Sequence, residues 1–159
     1  MRVLLIDDDP KDRGLAADTL GRDLPSAEIV EIGDGTALEL ALQGPTEPAL
    51  AITDYALTWS DGLAMFRRIK TAYPLCPVIV FTGVGDETLA VELLKAGVDD
   101  YVVKHGRRPL GQAALEVLEV AAKRHRRFRP DLWQVQRIRN VVGSVPLARL
   151  ASARRVSSS

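Results

Sequence analysis

The sequence holds little of what would mark a secreted or membrane-spanning protein. It has one cysteine, Cys76, in 159 residues, which excludes an intrachain disulfide framework. No stretch approaches the roughly 18–20 uninterrupted apolar residues that a membrane-spanning helix needs. The apolar run at residues 3–6 is too short for a signal-peptide core, and it ends in Asp7-Asp8-Asp9 rather than at a small-residue cleavage site. No segment recurs at a solenoid-like period. These absences point to a cytoplasmic, membrane-free protein in a reducing compartment.

The formal net charge is zero, but the charges are unevenly distributed. Residues 1–122 carry 11 Lys and Arg against 20 Asp and Glu, whereas residues 123–159 carry 10 against the single acid Asp131. Such a split marks two segments: an acidic one long enough to fold alone, residues 1–127, and a basic extension, residues 128–159. Lys123-Arg124-His125-Arg126-Arg127 ends a helix-period segment, where cations complement the helix dipole. Residues 130–142 carry an apolar stripe (Leu132, Val135, Ile138) and read as a short helix before a disordered tail. That stripe must be buried somewhere, and docking on its own domain or in a homodimer fits better than binding nucleic acid.

Apolar runs alternate five times with helix-period segments. Strands are expected at 2–7, 27–32, 49–54, 77–82 and 100–104, and helices at 10–20, 35–42, 62–72, 86–95 and 109–127. Gly21 and Gly97 act as helix stops. Strands that are apolar on both faces, each followed by a helix, form a parallel sheet covered on both sides, a three-layer doubly wound α/β fold. Ligand sites in such folds lie beyond the carboxyl ends of the strands. There the sequence places Asp7, Asp8 and Asp9, then Asp54, Thr82 and Lys104. Clustered carboxylates attract a hard divalent cation, and Mg2+ takes oxygen ligands. A carboxylate beside the cation can attack a phosphoryl group, with an ammonium and a hydroxyl binding the phosphoryl oxygens.

Taken in order, Leu5-Ile6-Asp7-Asp8-Asp9-Pro10, Ile52-Thr53-Asp54, Asp61-Gly62, Phe81-Thr82-Gly83 and Tyr101-Val102-Val103-Lys104 resemble the motifs of a two-component response-regulator receiver domain. The resemblance covers residues 1 to about 127. It implies a flavodoxin-like sheet in the order 2-1-3-4-5 with a C-terminal helical extension. It also implies a stand-alone phosphoacceptor that assists its own phosphorylation and dephosphorylation, rather than an enzyme. Asp54 would be the phosphoacceptor. Asp8 and Asp54 would ligate Mg2+ directly, with the Ala56 backbone carbonyl, and Asp7 would act largely through water. Lys104 and Thr82 would bind the phosphoryl group, with Thr82 and Tyr101 as switch residues. The partner would be a sensor histidine kinase or a histidine phosphotransfer protein, and output would run through a homodimer or another phosphorylation-dependent surface.

Two positions depart from the family pattern: Leu57-Thr58 stands where Met-Pro is common, and His105 where proline often follows the lysine. Neither removes a phosphate ligand. Asp9 reads as a helix cap and Asp61-Gly62 as a helix entry, while Cys76 reads as a packing residue. His105 and His125 lack partners at ligand spacing, so neither reads as a phosphoryl donor. Three other readings stay open. A phosphatase of the haloacid-dehalogenase class would use Asp7 as nucleophile, but Pro10 stands in its motif's turn. A degenerate receiver would act only as a protein-interaction module. A receiver cut from a longer hybrid kinase or transcription factor would carry the same motifs.

Overall fold

The computed structural model describes residues 1–128. The short helix and tail expected beyond them lie outside the described residues. Met1–Ala121 forms one compact unit, and a second begins at Ala122.

Five strands, β1 (Arg2–Ile6), β2 (Glu28–Ile32), β3 (Leu50–Thr53), β4 (Val78–Thr82) and β5 (Asp100–Val103), alternate with five helices. These are α1 (Pro10–Asp23), α2 (Gly35–Leu42), α3 (Gly62–Ala72), α4 (Glu87–Ala96) and α5 (Leu110–Phe128). The strands pair in parallel in the order β2-β1-β3-β4-β5, so the doubly wound sheet is as expected.

The period of two along each strand sends alternate side chains to opposite faces. Leu4 and Ile6 of β1, Ala51 of β3, and Val78 and Val80 of β4 pack with Leu38 of α2, Met65, Phe66 and Ile69 of α3, and Leu93 of α4. Their neighbours Val3, Leu5, Leu50, Ile52 and Ile79 pack with Ala16 and Leu20 of α1 and with Ala113, Ala114 and Val117 of α5. Cys76 is buried in the first of these clusters. Burial pushes its thiol pKa up to about 12, as suits a packing residue.

Each of the first four helices begins at an aspartate cap. Asp9 accepts from the Lys11 and Asp12 amides, and Asp34, Asp61 and Asp86 cap α2, α3 and α4 in the same way. The helix stops divide. Gly97 adopts φ 102° and closes α4 as expected. Gly21 does not end α1, which runs on to Asp23. Leu24, 3% exposed, is buried just beyond the helix, and its amide bonds the Leu20 carbonyl. Anchoring a leucine in the core outweighs the roughly 1 kcal/mol cost of a helical glycine. Gly97→Ala puts a Cβ on a left-handed residue and is expected to cost about 1 kcal/mol in urea denaturation.

Candidate functional site

The carboxyl edge of the sheet brings the expected polar residues together. The Asp7 amide donates to the Ile32 carbonyl and the Asp54 amide to the Ile6 carbonyl, while the Lys104 amide donates to the Thr82 carbonyl. Sheet pairing therefore continues one residue past each strand and fixes the backbone from which these side chains project. Asp7, Asp54 and Thr82 are buried polar residues, an arrangement that costs free energy unless each finds partners.

For the two carboxylates Lys104 supplies them. Its ammonium donates to Asp7 Oδ2 at 2.6 Å, to Asp54 Oδ2 at 2.7 Å and to Asp12 Oδ2 at 2.9 Å. Burial pulls the Lys104 pKa down, but the bonds to Asp54, Asp7 and Asp12 more than reverse this and leave it raised. Burial also raises the Asp7 pKa, against the Lys104 bond that lowers it. Asp7 accepts in addition from the Asp9 amide. Asp8 is held differently: the Thr58 amide donates to its Oδ2 at 2.8 Å, and this bond keeps its carboxyl below the usual range.

The loop after β3 is folded back on itself. Gly62 N–H donates to the Tyr55 carbonyl, and Ala56 forms an antiparallel bridge with Asp61. A Cβ at Gly62 would lie 2.9 Å from Tyr55 Cα, so glycine is needed where α3 enters against this loop. The Ala56 amide donates to Asp54 Oδ1 at 3.2 Å.

Thr82 and Tyr101 are joined through one residue. Val84 N–H donates to Thr82 Oγ1 at 3.4 Å, and the Val84 carbonyl accepts from the Tyr101 hydroxyl. A shift of the Thr82 hydroxyl therefore acts on the residue whose carbonyl accepts from the Tyr101 hydroxyl.

Asp7, Asp8, Asp54 and the Ala56 carbonyl offer oxygen donors only, the chemistry Mg2+ takes. Among the described residues no group of three carboxylate, imidazole or thiolate side chains is gathered as a ligand set, and the Asp7 and Asp54 carboxylates turn to Lys104 instead.

Two contributors escaped the motif reading. Asp12, in the first turn of α1, reads as an ordinary partner of the helix dipole. The Thr58 contribution is a backbone amide, and its only trace in the sequence is that position 58 is not proline.

A family model described as the response regulator receiver domain matches residues 3–116. The chain belongs to that family. The receiver is 34% identical over 103 residues to the C4-dicarboxylate transport transcriptional regulatory protein DctD of Pseudomonas aeruginosa, covering 65% of this chain and 22% of that one. It is 32% identical over 136 residues to response regulator RppA of Synechocystis, covering 83% and 55%. It is 27% identical over 120 residues to the chemotaxis protein CheY1 of Helicobacter pylori, covering 74% and 96%. The receiver thus spans about a fifth of the first relative's length and about half of the second's. Among solved structures, a response regulator receiver domain protein of Clostridium thermocellum superposes with a TM-score of 0.65 at 24% identity, over 79% of this chain and 96% of that one. The receiver domain of a Colwellia psychrerythraea DNA-binding response regulator superposes with 0.67 at 20% identity, over 75% and 98%. These two show the fold.

Because the fold raises the Asp7 pKa above its ordinary 3.8, the folded protein disfavours the Asp7 charge. Stability falls as pH rises through the window from 3.8 to the folded value. Asp7→Asn is expected to raise the thermal midpoint at pH 7, and the gap from wild type should close below pH 3.8, where Asp7 is protonated in both states. Thermal denaturation of both proteins across pH 3–7 checks this.

Proposed function

We propose that this receiver accepts a phosphoryl group on Asp54 from a phosphohistidine of a sensor histidine kinase or a histidine phosphotransfer protein. The supporting observation is the buried Asp54 carboxylate held at a strand end by Lys104, with Thr82 and Asp7 on the same edge. An Asp54 oxygen forms the new O–P bond as the N–P bond of the donor breaks, and the imidazole keeps the electron pair of that bond. Little covalent work is asked of the protein beyond placing these groups and stabilising charge. Lys104 and the Thr82 hydroxyl bind the phosphoryl oxygens. Asp8, Asp54 and the Ala56 carbonyl would hold Mg2+, with Asp7 acting through water, and the charge it would supply there is of the kind that offsets negative charge on phosphoryl oxygens.

The added charge on Asp54 draws Thr82 and Lys104 towards it. Through Val84 the movement of Thr82 reaches Tyr101 and changes the surface of α4, β5 and α5. On that surface Leu94 and Val120 are exposed, as are Val84, Val91 and Leu115, whereas Leu93 and Val102 are buried. Exposed apolar groups of this kind suit a homodimer or a separate protein target. The protein acts in the cytoplasm as a phosphoacceptor that assists its own phosphorylation and dephosphorylation and does not bind nucleic acid. Among the described residues no helix is long and apolar enough to cross a membrane.

The test is phosphorylation by acetyl phosphate with Mg2+, read by intact-protein mass. Wild type is expected to take up one phosphoryl group and Asp54→Asn none, and chelating Mg2+ should abolish uptake. Light scattering on the same samples should show a rise in molar mass on phosphorylation. Uptake that survives in Asp54→Asn but is lost in Asp7→Asn would overturn the assignment of the acceptor.

A further inference from the structure

We infer that Asp12 is a positioning residue that withholds Lys104 from an incoming phosphoryl group, so that its release sets part of the barrier to phosphorylation. The inference rests on Asp54 being the acceptor.

An ammonium has three N–H donors and no more. In Lys104 each of them is engaged by a carboxylate: Asp7 at 2.6 Å, Asp54 at 2.7 Å and Asp12 at 2.9 Å. None is left for a phosphoryl oxygen. To stabilise charge on the transferring group, Lys104 must give up a carboxylate while Asp54 is still attacking.

The three carboxylates differ in what release costs. The side chains of Asp7 and Asp54 are 4% and 11% exposed, and that of Asp12 is 35% exposed. A buried carboxylate that loses its ammonium is left without compensation, whereas an exposed one exchanges the bond for water. Asp12 also makes the longest of the three bonds. It stands in the first turn of α1, with its amide held by the Asp9 cap, so its side chain can turn to solvent without moving the backbone. Asp12 is therefore the partner that lets go. While it holds on, it keeps the ammonium saturated and drawn towards α1.

Asp12→Ala frees one donor in advance. With acetyl phosphate and Mg2+, the rate of Asp54 phosphorylation is expected to rise roughly fivefold, the scale of a partly exposed ion pair. Removing a negative charge also weakens repulsion of an anionic donor, and that effect is screened by salt. The rates are therefore compared at low and at high ionic strength. In parallel, the side-chain 15Nζ resonance of Lys104 is followed by NMR without any phosphodonor. Acceleration that persists at high salt, together with a displaced Lys104 resonance, supports the latch. Acceleration that vanishes at high salt, an unchanged or slower rate, or an unmoved resonance overturns it. No phosphorylation of wild type overturns the acceptor assignment and the latch together. Phosphorylation of wild type at a rate that Asp12→Ala does not exceed overturns the latch alone.

Discussion

The carboxyl edge of the sheet depends on Lys104, whose side chain is 7% exposed and whose ammonium binds carboxylates from the ends of β1 and β3 and from α1. Asp7 and Asp54 are buried carboxylates that share this one ammonium, and that shared partner offsets the cost of burying them. The network joins residues 50 and 97 positions away along the chain, so it forms only when β1, β3 and β5 are in register. The apolar core on both faces supplies that register, and the charged groups stand where the core ends. The site is a place where the fold tolerates unfavourable electrostatics that tight packing elsewhere offsets.

Much of this was legible in the sequence because the signals are local. Runs such as Val78-Ile79-Val80 admit little besides a buried strand, and the strand-end rule then gathers Asp7, Asp54, Thr82 and Lys104 without any knowledge of side-chain contacts. Asp9 and Asp61 were readable as caps because capping depends only on spacing. The misses share a cause. The overrun of α1 past Gly21 depends on where Leu24 is buried, a tertiary fact. The role of Asp12 depends on how closely α1 approaches β5, and a first-turn aspartate with no such contact would look the same. Of the apolar residues on α4, β5 and α5, the sequence could not separate exposed Leu94 from buried Leu93, its neighbour in the chain. On a helix they differ by about 100° of rotation, and only packing says which side faces in.

Val84 stands between the two residues of the proposed switch. Its amide engages Thr82 and its carbonyl engages Tyr101, so a buried hydroxyl and a half-buried ring are held by two successive peptide planes hinged at one Cα. A displacement at the buried end has only the φ and ψ of that one residue to pass through, and so short a linkage suits a change at a buried site that selects between two surface arrangements.

The bond from Thr58 to Asp8 has an entropic consequence. Residue 58 contributes an N–H that a proline could not, and that N–H ties the loop after β3 to the end of β1. A loop that first becomes ordered when its ligand arrives pays its conformational entropy out of the binding energy. Here that ordering is completed during folding. A ligand of the proposed site would therefore meet no penalty for closing this loop, and Asp8 would face it with one oxygen already held by the Thr58 amide.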